Sequence, residues 1–384
     1  MKLSSPKGQS NSGSLNLPGS VSLRIEGAST LATVRIEDHF PAGTYSTPPQ
    51  VDRPIDATIE IREVESVETI FQDIVQRCEP VGSKEVFSGV RYHEYWDRGH
   101  VPERRFWLPP EGRQYAISRS AEEILAVVDS TSSYKNSLPL RLAREVHYRT
   151  KLSCAGLSLH AGAVSVGDCG VLLVGPSGSG KSSLLVALLE VGAARYICND
   201  RAIVYDEDWK IDSVPLAVRV GWGTVRSMPR LRAHLMMGGV VSRSNRAVPS
   251  DRLLRVLSVD DWGSDDKLEL SPREFLNFVG AYWGVPGRSL RHILVPNIEK
   301  GPRAPRFESI TSIELYEYLK AELTSPVDPR WPEPWLWRPD TIHGDTLAML
   351  RSLSENISGT KVTFGTYWTD RLQEFGAGVI GLLR

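Results

Sequence analysis

Apolar and polar residues alternate in three short stretches near the start of the chain. These are Ser22-Leu23-Arg24-Ile25, Ala32-Thr33-Val34-Arg35-Ile36 and Thr58-Ile59-Glu60-Ile61-Arg62. A period of two is the signature of a half-buried strand, so each stretch predicts one. Pro41, Pro48, Pro49, Pro54 and Pro80 break the runs between them. Ser120 and Glu123 have capping-box spacing, and Glu122 adds a second acid to the first turn. That pattern predicts a helix over residues 121–128. Residues 21–135 therefore read as a β-rich accessory domain. Residues 1–20 are rich in Ser, Gly and Asn and read as a disordered tail.

The texture changes at Leu138. Leucines and charges recur at helical spacing over Leu138–Leu152. Leu157–Val166 predicts one strand, Asp168-Cys169-Gly170 a turn, and Val171–Val174 a buried strand. A glycine-rich loop follows, then a helix from Lys181 to about Val191, with Gly192 placed to stop it. Arg195–Asp200 predicts the next strand, and Ala202–Tyr205 stays apolar. Strand, loop, helix, strand is a βαβ unit, so residues 136–384 read as an α/β domain. Asp206-Glu207-Asp208 reads as a solvent-exposed hairpin turn. Ser271-Pro272-Arg273-Glu274 opens a helix, and His292–Val295 and Lys361–Phe364 predict late strands.

Composition removes several classes of function. The 384 residues carry 45 basic and 46 acidic side chains, so no global field draws the protein to nucleic acid or to a membrane. The arginines of Arg226–Arg255 read as a solvated surface, and Trp331–Arg338 as a packed loop rather than a base-stacking platform. No apolar run approaches a membrane span, and the N-terminus lacks the apolar core of a signal peptide. Cys78, Cys154, Cys169 and Cys198 form no C-x-x-C pair, which fits a reducing, cytoplasmic setting without structural zinc.

The chemistry concentrates in Gly175-Pro176-Ser177-Gly178-Ser179-Gly180-Lys181-Ser182, which fits G-x-x-x-x-G-K-[ST] without a mismatch. Glycines let the backbone curl so that successive N–H groups point into one concavity. The following helix N-terminus adds partial positive charge. In this motif the lysine, Lys181, reaches the β- and γ-phosphates, and the hydroxyl of Ser182 meets Mg²⁺. Ser183 completes the expected nucleotide-binding set. Such a site needs a carboxylate at the end of an adjacent strand, and Asp200, closing Tyr196-Ile197-Cys198-Asn199-Asp200, is the candidate base and metal ligand. His160 lies one strand before the loop.

Three stretches stand in order: Leu159-His160-Ala161-Gly162-Ala163-Val164, Gly170–Ser183 and Asn199-Asp200-Arg201. Together they resemble the catalytic domain of the HPr kinase/phosphorylase family, whose loop is related to that of phosphoenolpyruvate carboxykinase. The resemblance spans roughly residues 137–300. It extends weakly to Lys267-Leu268-Glu269-Leu270-Ser271-Pro272 and to Leu290–Pro296. It implies an ATP- and Mg²⁺-dependent kinase acting on a hydroxyl group, of a peptide or protein serine or of a small metabolite. His160 and Lys181 would assist catalysis, and Asp200 would accept the hydroxyl proton. Two positions depart from the family pattern. Asn199 stands where the first of two aspartates is expected, and Ala217 where a metal-binding glutamate precedes the arginine matched by Arg219. The likeness is thus to the divergent relatives rather than to the regulatory enzyme. The departures also leave a second reading open: a nucleotide-binding module without catalysis. The residues specify neither the acceptor nor the oligomeric state. No Asn-Lys-x-Asp guanine signature is present.

Overall fold

The computed structural model describes residues 11–16, 22–41, 45–46, 57–87, 90–99, 102–109, 114–153, 156–239, 241, 253, 267–285, 287–324 and 345–383. Residues 1–10 and 17–20 of the expected tail, Trp331–Arg338, and Arg243, Arg246, Arg252 and Arg255 lie outside them. The protein is mixed α/β and divides into two compact units between Thr150 and Lys151.

The first unit is built on nine strands. They are β1 (Asn11–Asn16), β2 (Ser22–Ala28), β3 (Tyr45–Ser46), β4 (Ala57–Val64), β5 (Glu79–Phe87), β6 (Val90–Asp97), β7 (Arg104–Leu108), β8 (Tyr115–Ser120) and β9 (Glu123–Asp129). They form one sheet in the order β3-β1-β2-β4-β9-β8-β7-β6-β5, in which β2, β4 and β9 run parallel. Helices α1 (Thr30–His39) and α3 (Tyr134–Ser153) contribute Ile36, Leu138, Leu142 and Val146, with Phe40 just past α1, to a core with Ile25, Ile59 and Ile124. Helix α2 (Glu68–Arg77) sets Phe71 and Ile74 against Val127 and Ala116 in a separate cluster.

Four expectations change here. Asn11–Asn16, expected in a disordered tail, is strand β1 and pairs with β2. Ala32–Ile36, expected as a strand, lies inside helix α1, capped by the Ser29 hydroxyl accepting from the Ala32 amide at 3.1 Å. The buried positions Ala32, Thr33, Ile36 and His39 follow helical spacing, while Val34 is 43% exposed. Five residues are too short a window to separate a period of 2 from one of 3.6. Residues 121–128, expected as a helix, are the turn and second strand of the β8–β9 hairpin. Ser120 faces Glu123 across it, and Ala121 has φ +49°. Positions i and i+3 face each other in a two-residue hairpin as well as in a capping box. The expected boundary at residue 135 falls at the start of α3, whose Leu138, Leu140 and Leu142 belong to the first unit's core.

The second unit carries β10 (Leu157–Leu159), β11 (Ala161–Val166), β12 (Cys169–Val174), β13 (Ala194–Cys198), β14 (Ala202–Val204), β15 (Lys210–Ser213), β16 (Val218–Gly221), β17 (Lys267–Leu270), β18 (Arg288–Glu299), β19 (Arg306–Ile310) and β20 (Ser358–Gly365). Its main sheet runs β10-β14-β15-β18-β12-β11-β13, with β20 beside β18 and β19 beside β20; β16 and β17 form a separate ribbon. Helix α4 (Lys181–Glu190) connects β12 to β13. Both strands are antiparallel to β11 between them, so this is a crossover that skips one strand.

Helices α5 (Trp222–Arg226), α6 (Pro229–Met236), α7 (Pro272–Val279), α8 (Ser312–Ala321), α9 (Thr346–Asn356) and α10 (Leu372–Leu383) complete the unit. Ser271 and Glu274 form the expected capping box at α7. Side chains alternate across the central strand: Val171 and Leu173 pack with α4 and α10, Leu172 and Val174 with α8 and α9. This three-layer sandwich buries β12 on both faces, which is why its sequence is aliphatic throughout. The 206–208 acids lie exposed in the β14–β15 connection. No described helix is long and apolar enough to cross a membrane.

Candidate functional site

The glycine-rich loop lies between the end of β12 and the start of α4. Gly175, Gly178 and Gly180 have φ of +153°, +84° and +99°, which residues with a Cβ rarely adopt. At Gly180 a Cβ would also stand 2.9 Å from Phe364 Cζ, so both backbone and packing require glycine there. The Ser179 amide donates to the Pro176 carbonyl at 3.2 Å, and the Ile298 amide to the Ser179 carbonyl at 3.0 Å. These bonds fix the loop against β18. The Ser179 hydroxyl is buried with no hydrogen-bond partner among the described residues.

Lys181 begins α4 and is buried. Its ammonium folds back to donate to the carbonyl of Gly175 and, at 3.1 Å, to that of Pro176. Burial lowers its pKa; Glu322 and Asp200 oppose this, while the Lys267 charge adds to it. Ser182 donates to Asn199 Oδ1 at 3.4 Å. Ser183, expected with the loop residues, turns into the core, where its hydroxyl meets that of Thr224 at 2.8 Å. Pro176, Ser177 and Gly178 form the exposed outer part of the loop.

β13 ends at Cys198, two residues short of the expected strand end, and Asp200 lies with Asn199 in the bend that follows. Its position comes from strand order: β13 lies next to β11, and β11 next to β12. The expected single strand over Leu157–Val166 breaks at His160. Before the break β10 pairs with β14; after it β11 pairs with β12 and β13. The change of neighbours leaves His160 in the bend, its ring 3.5 Å from Asp200 through Nε2. On its other side Nδ1 lies 2.6 Å from Glu322 Oε2.

Glu322 was not legible in the sequence. It stands just past α8, in a segment that forms a short ladder with β10. The His160 amide donates to the Glu322 carbonyl and the Thr324 amide to the Ser158 carbonyl, both at 2.8 Å. The Ser158 and Thr324 hydroxyls also meet at 2.8 Å. No local motif links residues so far apart in the chain. The only trace is the short apolar Leu323 between two polar residues, matching Leu159 in an isolated bridge.

Asp200 and then Glu322 raise the His160 pKa above its ordinary value, against burial and the Lys181 charge. The Glu322 contact is the shorter one, so Glu322 anchors the ring and Asp200 is the looser partner. A raised histidine pKa stabilises the fold fully below the unfolded value of about 6.5, and the gain is lost as pH rises through the folded value. The stability difference between wild type and His160→Gln is therefore expected to be largest at acidic pH and to shrink as pH climbs. Denaturant titrations of both proteins across that window check this; a difference that grows with pH contradicts a raised His160 pKa.

No family model matches the chain, and no curated protein does. The site thus rests on its own geometry. One buried lysine, two carboxylates and a bridging imidazole come together beside the glycine-rich loop. Ser182 and Asn199 place two neutral oxygens beside it. Arg219, matched to the family's arginine, pairs on the outer ribbon with Glu269 at 3.5 Å, and Ala217, two residues earlier, is buried. Among the described residues no cluster of three or more His, Cys, Asp or Glu side chains could hold a metal.

Proposed function

We propose that the second unit is a P-loop kinase of the HPr kinase-like type, which binds ATP with Mg²⁺ and phosphorylates a hydroxyl group. The observation that carries the reading is the proximity of Asp200 and His160, at 3.5 Å, in the same site as Lys181, whose pKa both Asp200 and Glu322 influence. A lysine held on the carbonyls of its own loop, three glycines at positive φ and an unpartnered buried Ser179 hydroxyl suit an anion with several oxygens. Mg²⁺ takes few protein oxygens and fills its shell with phosphate and water. Ser182 fits that need, with Asn199 beside it; the carboxylate of Asp200 is the further candidate ligand.

Bound ATP supplies the phosphoryl group, and the metal neutralises its charge. Lys181 and the loop amides would stabilise charge on the transferred group. Asp200 would accept the hydroxyl proton of a serine or a small alcohol. His160, held by Glu322 at 2.6 Å, would orient that carboxylate. Asn199 and Ala217 favour the second reading, a nucleotide-binding module without turnover, because both replace acids that would serve the metal.

The deciding experiment offers labelled ATP and Mg²⁺ to candidate peptides and hydroxylated metabolites, with ADP release followed in parallel. Transfer by wild type establishes the kinase; tight binding without any transfer selects the module. Lys181→Met is expected to weaken nucleotide binding by about ten- to a hundredfold, the scale of losing a charged hydrogen-bond donor. Calorimetry checks this, and unchanged affinity would remove Lys181 from the site.

A further inference from the structure

Beyond the motif, the loop is approached by a second lysine. Lys267 opens β17, opposite Gly221 in the β16–β17 ribbon, and its ammonium lies 3.4 Å from the Ser177 hydroxyl. Lys267 and Glu269 share one face of the strand, since Leu268 and Leu270 between and after them are buried. Glu269 pairs with Arg219 instead. Among the described residues Ser177 is the hydrogen-bond partner of Lys267, and no carboxylate lies within ion-pair distance of it. The ammonium is also close enough to Lys181 to repel its charge.

Two cations thus converge on one loop from opposite elements, β17 and α4. Two like charges brought to one loop repel each other, and a bound anion would relieve that repulsion. Lys181 begins the helix and reaches the outer phosphates of a nucleotide. Lys267 stands farther out, over Ser177 at the exposed end of the loop. Resting on the nucleotide reading above, we infer that Lys267 binds the terminal phosphate of the triphosphate, and so makes the site select ATP over ADP.

The test is calorimetry of the full-length protein with ATP and with ADP, both with Mg²⁺, on wild type, Lys267→Ala and Lys267→Arg. Lys267→Ala is expected to weaken ATP binding by about tenfold or more, while ADP affinity stays within about twofold. Lys267→Arg should restore most of the ATP affinity, because it keeps the charge. Circular dichroism of each variant checks that the unit is folded. If ATP binding is unaffected by Lys267→Ala, or ATP and ADP weaken equally, the inference is overturned while the phosphate loop stands. If wild type takes up neither nucleotide, the loop reading itself fails and this inference falls with it.

Discussion

Asp200→Asn is expected to lower phosphoryl transfer by about 10²- to 10⁴-fold, the usual contribution of a positioned general base. Nucleotide affinity should stay within about threefold, because the amide has the same shape and its oxygen can still accept from His160. The substitution removes the negative charge and with it the basicity. It also removes the carboxylate that does most to raise the His160 pKa, so the imidazole should titrate closer to its ordinary value. Steady-state kinetics and an NMR titration of the His160 ring therefore test one change by two independent readouts. A variant that keeps turnover within tenfold of wild type would show that another group takes the proton. A variant that loses turnover but leaves the His160 titration unmoved would show that Asp200 and the ring are not in contact in solution.

A second large effect is expected on stability, from the helix that packs behind the loop. Gly376 in α10 is buried, and a Cβ placed there would stand 2.1 Å from the Ala187 carbonyl oxygen of α4 and 2.6 Å from Val191 Cγ2. Backbone atoms in a helix cannot step aside as a flexible side chain can. Gly376→Ala should therefore force the two helices apart and cost about 1–3 kcal/mol, the range for overpacking. Helix propensity runs the other way, since alanine is better than glycine by about 1 kcal/mol. The clash is the larger effect, so the net sign is destabilising. Gly378, two residues on, is exposed and has nothing within 4 Å of its would-be Cβ. Gly378→Ala should gain the propensity alone and stabilise by about 0.5–1 kcal/mol. Thermal unfolding of the pair gives opposite shifts if α10 packs on α4 as described. Two shifts of the same sign would contradict that packing.

How much of this was legible in the sequence depended on range. The loop and its helix announced themselves because every part of the motif is local: an aliphatic strand, glycines that permit positive φ, a lysine and serine at the first turn. The βαβ order and the position of Asp200 just past a strand were equally local. Ala32–Ile36 and residues 121–128 were misread because each pattern fits two periods, and only burial decides between them. Val34 is exposed and Ala121 turns the chain, and neither fact is written in five or eight residues. His160 was legible as a residue but its bend was not, since the break arises from a change of neighbouring strands. Glu322 is the extreme case, placed beside His160 by a ladder between segments distant in sequence.

The Lys181 ammonium is tied to the Gly175 and Pro176 carbonyls. An arriving anion would find a cation already stripped of most of its water and fixed in direction. The cost of dehydrating it has been met during folding, and the encounter exchanges two neutral oxygens for charged ones. Such preorganisation implies that affinity at this loop draws little on freezing a flexible chain, and that a softer, unfolded loop of the same composition would be a far poorer host.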